Sequence, residues 1–128
     1  MVYLLQGRYV MSRLDDILLR KERRKARLQS ALDSVVNHLK SLGALKIILF
    51  GSLARNEVDV HSDLDLLVIM PNTRSGKEWM RLIYETGNSG IACDILAYNE
   101  KEFEENLPVS RFLKNVVKTG RVLHEKAG

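Results

Sequence analysis

A single α/β (α+β) domain is what this sequence predicts, on three observations. Short β-branched apolar runs alternate with segments of helical spacing. No Gly-, Pro- or Ser-rich linker separates halves of different composition. The 128 residues supply material for one hydrophobic core. With 45% hydrophobic and 28% charged residues, the composition is that of a folded protein rather than a disordered one. The predicted organisation is one domain over 1–128, comprising an arm over 1–11, a helix over 12–42, a core over 45–98, and helices with an edge strand over 99–128.

Each element has a local cause. The opening MVYLLQGRYV is apolar but carries no basic lead and no small-residue cleavage site, so it is a poor signal peptide and reads as a loosely attached arm. Met11 followed by Ser12 offers a second start. Ser12 with Asp15 resembles a capping box, and Leu14, Ile17 and Leu18 make the first apolar turn of a helix. The apolar spacing resumes at Leu28, Ala31, Leu32, Val35, Leu39 and Leu42, and Gly43 ends it. Leu45 to Phe50, Leu64 to Met70 and Ile91 to Tyr98 are short apolar runs between turn residues, which predicts buried strands. Trp79, Leu82 and Ile83 give a weaker helical signal between Thr73 and Glu85. Asn99 with Glu102 forms another capping box ahead of EKEFEEN. Val109, Phe112, Leu113, Val116 and Val117 predict a last amphipathic helix ended by Gly120, with Val122 and Leu123 as a short edge strand.

Composition narrows the function. No apolar run approaches the roughly 20 residues needed to span a bilayer, so no membrane partner is expected. One cysteine, Cys93, rules out an internal disulfide and fits a cytoplasmic protein; it reads as a small core hydrophobe. His38, His61 and His124 lie far apart without zinc-type spacing. The net charge of +4 is local: Arg20 to Arg27 reads RKERRKAR, six cations against one anion, and subtracting that +5 leaves the remainder near −1. Such a run is either a solvated helix face or a contact for RNA or another acidic partner.

The chemistry concentrates in FGSLARNEVDVHSDLDLLVIM, residues 50–70. A glycine directly after a strand lets the backbone turn sharply and a ligand come close. Amides opening a helical turn, beside the Ser52 hydroxyl, suit an anion such as phosphate. Asp63 and Asp65 lie one residue apart on a strand, so both carboxylates face one side while Leu64, Leu66 and Val68 face the other. Two like charges so close repel unless a cation neutralises them, and paired oxygen ligands suit a hard cation, Mg²⁺ above all. Asp94 sits inside the third apolar run, on the face of Ala92 and Leu96; a carboxylate buried there would be costly unless satisfied. If its strand lies beside that of Asp63 and Asp65, three carboxylates converge, the arrangement that phosphoryl and nucleotidyl transfer use to hold two divalent ions.

Gly51-Ser52, ten residues, Asp63-Leu64-Asp65 and a third aspartate on a later strand are similar to the signature of the DNA polymerase beta-like nucleotidyltransferase superfamily. The wording GSLAR…SDLDLLV resembles the minimal nucleotidyltransferase (MNT) family of MntA-type antitoxins, with Asn56 where the family usually has glycine. The resemblance implies the nucleotidyltransferase fold, a small mixed sheet of three to four strands flanked by helices. It also implies roles. Gly51 and Ser52, assisted by Arg55, would bind the triphosphate of ATP. Asp63, Asp65 and Asp94 would be catalytic and would hold two Mg²⁺ ions. Asp94 would help deprotonate the acceptor hydroxyl. The implied reaction moves AMP from ATP to a hydroxyl on a partner protein, a HEPN-type toxin that the MNT chain silences. An antitoxin acting by binding alone, and transfer to a small molecule or an RNA end, are the alternatives. A homo-oligomer or a hetero-complex with the partner is expected.

Overall fold

The computed structural model describes residues 2–5, 8–11, 13–51, 54, 64–87 and 93–127. It opens with strands β1 (Val2–Leu5) and β2 (Arg8–Met11), paired antiparallel with Leu5 opposite Arg8. The expected arm is thus a hairpin, whose signal in the sequence is the Gln6-Gly7 dipeptide between two β-prone stretches. Helix α1 follows over Arg13–Ser41. Gly43 stops it with φ +101°, a left-handed turn that a side chain disfavours, and the Ala44 N–H returns to the Leu39 carbonyl at 3.0 Å.

Strands β3 (Lys46–Phe50) and β4 (Leu64–Met70), helix α2 (Gly76–Thr86) and strand β5 (Cys93–Asn99) come next. Helices α3 (Glu100–Asn106) and α4 (Arg111–Thr119) and strand β6 (Arg121–Glu125) complete the described chain. The main sheet has the order β5-β4-β3-β6. Its β3 pairs are antiparallel, whereas β4 and β5 are parallel and joined through α2, so the sheet is mixed, as expected.

The alternation of side chains along β4 builds two cores. Leu64, Leu66, Val68 and Met70 join Leu28, Leu32 and Leu39 of α1 and Trp79 and Ile83 of α2 on one face. Leu67 joins Ile48, Leu113 and Val116 on the other, under α3 and α4. Trp79 is a packing residue: it is buried, and its indole N–H donates to the Pro71 carbonyl at 2.9 Å. Cys93 is half-buried against the first core.

Two capping boxes set the helices that flank β5. In the expected one, Asn99 Oδ1 accepts from the Glu102 N–H at 2.8 Å while Glu102 Oε1 accepts from the Asn99 N–H at 2.9 Å. The same Glu102 oxygen accepts from the Gly76 N–H at 2.8 Å, tying the start of α2 to the start of α3. The second box, Ser75 with Glu78, begins α2 three residues later than the apolar spacing suggests.

Candidate functional site

One end of the sheet gathers the described residues of the signature. β3 ends at Phe50, whose register partner on β4 is Asp65. On the other side of β4, Asp65 is the register partner of Asp94 on the parallel strand β5. Residues opposite one another in a ladder point to the same side of the sheet, about 4.8 Å apart between neighbouring strands. Phe50, Asp65 and Asp94 therefore form one row. The row lies on the face of Ile48, Leu67 and Leu96, the face that α3 and α4 cover further along.

Gly51 adjoins this row with φ +81°, in the left-handed region. A Cβ added there would run into Oδ2 of Asp65. The glycine is required twice over, by its backbone conformation and by the carboxylate lying against it. Turn and carboxylate are thus built as one unit.

Asp65 is half-buried, and Asp94 is exposed as the second residue of β5. Here the sequence reading is corrected. Asp94 does not endure burial in the middle of an apolar strand; it stands at the strand's open end, where water covers it at little cost. Asp94 does converge with Asp65, because β5 lies beside β4. Ser52, Arg55 and Asp63 lie outside the described residues.

Among the described residues no three His, Cys, Asp or Glu side chains make a metal-binding group. The described donor set is two carboxylates on adjacent strands beside a glycine cradle, and oxygen-only donors of this kind fit a hard divalent cation. Sequence reasoning missed the aromatic border of the site. Phe50 meets Phe112 of α4 edge-on, with ring centroids 5.5 Å apart and planes at 82°. The signal was present in the amphipathic spacing of Phe112, which the structure leaves 44% exposed at one side of the carboxylate row.

Fold and site together define a class: an α+β domain that sets strand-borne carboxylates against a glycine turn at one end of a mixed sheet. The chain belongs to the nucleotidyltransferase domain family, whose model matches residues 32–123, well over half of its length. It is accordingly a transferase of nucleotidyl groups. It is also similar to a candidate nucleotidyltransferase from Sulfolobus solfataricus, known from a 1.40 Å crystal structure. The two share 19% identity over 91% of this chain and 94% of that one, with a TM-score of 0.49. No curated protein matches the chain. No helix among the described residues is long and apolar enough to cross a membrane.

Proposed function

We propose that the chain transfers AMP from ATP to a hydroxyl of a partner protein, as the enzymatic antitoxin of a HEPN/MNT pair. The observation that carries this reading is the in-register Asp65–Asp94 pair against the Gly51 turn. The wording GSLAR…SDLDLLV supports the narrower assignment.

The triphosphate would lie along Gly51, Ser52 and Arg55, with its α-phosphorus toward the carboxylates. Mg²⁺ held by Asp63, Asp65 and Asp94 would supply charge neutralisation at the phosphate oxygens. The acceptor oxygen attacks the α-phosphorus, the bond from that phosphorus to the α–β bridging oxygen breaks, and pyrophosphate leaves. The acceptor's proton passes to Asp94, whose exposure at the strand's end leaves room for a second molecule to approach.

Label transfer from α-labelled ATP in a host lysate, with Asp65→Asn and Asp94→Asn beside the parent protein, tests the reading. One labelled protein band that both substitutions abolish is the expected result. Label on RNA or a small molecule would overturn the protein acceptor. An unlabelled partner still captured on pull-down would leave an antitoxin that acts by contact alone.

A further inference from the structure

Helix α1 is far longer than the sheet it packs on. Its 29 residues span about 43 Å, whereas the 5 residues of β3 span about 17 Å. Its direction follows from two contacts. The C-terminal end is tied to the start of β3 through the short turn at Gly43. Four residues before Leu42, His38 Nε2 already bonds Thr86 Oγ1 at 2.9 Å. Thr86 ends α2 near the strand end that holds Asp94, because Tyr84 accepts from the Ile95 N–H at 2.9 Å. Followed toward its N-terminus, α1 therefore travels to the carboxylate end of the sheet. It is buried there at Leu28 and Leu32, and then runs on past the core.

The stretch beyond the core is the basic run. At 100° per residue, Arg20, Arg23, Arg24 and Arg27 fall within an arc of about 100°, over roughly 10 Å of helix. Arg20, Arg23 and Arg27 are exposed and Arg24 is half-buried. Arg20 is paired with Asp16 at 2.7 Å. No described carboxylate forms an ion pair with Arg23 or Arg27. Like charges spaced i, i+4 weaken a helix by a few tenths of a kcal/mol each. The pair Arg23–Arg27 is spaced in this way and gains when an outside polyanion neutralises it. Lys21 and Lys25 occupy positions that the apolar stripe would otherwise fill, which sets the run apart from the exposed Leu14, Ile17 and Leu18 earlier in the helix. Guanidinium forks in a row instead match successive phosphates.

We infer that the arginine ridge of α1, formed by the exposed Arg20, Arg23 and Arg27, binds the phosphodiester backbone of a nucleic acid. This function is separate from the transfer reaction and stands whatever the acceptor. The ridge leaves the core at the same end of the sheet as Asp65 and Asp94, so bound nucleic acid would run beside the transfer site.

Fluorescence anisotropy tests it, with a labelled 20-nucleotide RNA, the same sequence as DNA, and polyglutamate as competitor, from 50 to 200 mM salt. Three phosphate contacts predict a log–log salt slope near −2, or about a 20-fold loss across that range. The double variant Arg23→Gln/Arg27→Gln should cut the slope to about a third, with a melting temperature unchanged or slightly raised. RNA and DNA binding alike indicates backbone recognition, and preference for RNA adds a 2′-hydroxyl contact; both support the inference. Absence of binding at 50 mM salt, binding untouched by the double variant, or equal competition by polyglutamate would overturn it. Binding to anionic vesicles in place of nucleic acid, or self-association that the variant abolishes, would overturn it too.

Discussion

Asp65 and Asp94 are register partners on neighbouring parallel strands, two carboxylates on one face at one end of the sheet. The pair is an electrostatic liability in the absence of a cation and an asset in its presence. Asp94→Asn should leave the cation-free melting temperature unchanged or slightly raised, since Asp94 is exposed and the substitution removes repulsion. Magnesium at ten times its dissociation constant should stabilise the parent protein by about 1.4 kcal/mol, and the variant by much less. Melting curves with and without Mg²⁺ check both expectations, and nucleotidyl transfer by the variant should fall at least about 100-fold.

Gly51→Ala is expected to fail in two ways. A left-handed backbone costs a non-glycine residue about 1–2 kcal/mol, and the new methyl meets the Asp65 carboxylate. Urea denaturation should show that loss or more. Nucleotidyl transfer should be lost at temperatures where the variant is still folded, because Asp65 must swing away from the row it shares with Asp94.

The acid limb of stability has an assignable contributor. The Ser75 backbone N–H and then its hydroxyl hold the Glu78 carboxyl below its usual value of 4.5. A carboxyl whose folded pKa is depressed stabilises the fold above its unfolded pKa, and that stability is lost as pH falls through the folded one. At pH 7 the parent protein should melt above Glu78→Gln. The gap should narrow as pH falls below 4.5 and close only once pH has passed below the depressed folded pKa, where the carboxyl is protonated in both states.

Glu102 joins two helices through one oxygen, which accepts from the Gly76 and Asn99 amides. Truncation by Glu102→Ala leaves both donors without that acceptor, at a cost of about 1–3 kcal/mol for each one that water does not reach. Thermal unfolding should show the loss, while Glu102→Gln, which keeps an acceptor, should lose less.

Much of this was readable in the residues because the causes are local. The Asn99/Glu102 box, the glycine stops at Gly43 and Gly120 and the three apolar runs each act over a few positions, and the structure has them where spacing put them. The side on which Asp65 and Asp94 point followed from strand alternation alone. Their register did not, because it depends on the length and packing of α2, which the sequence signals only weakly. Asp94 was read as buried because its neighbours are apolar; a strand's open end is set by tertiary structure that no local pattern records. The hairpin is signalled only by Gln6-Gly7, which is not one of the strong turn dipeptides. Asp63, Ser52 and Arg55 rest on the motif alone.

The two-sided pairing of β4 has a consequence in time. β4 is bonded to β3 on one side and β5 on the other, and Leu64, Leu66, Leu67, Val68 and Met70 along it are all fully buried. Its amides should exchange with deuterium only when the whole domain opens, on the slowest clock in the molecule. Asp65 rides on that strand, so the half of the site it carries has no separate way to melt. Heat inactivation should then coincide with global unfolding.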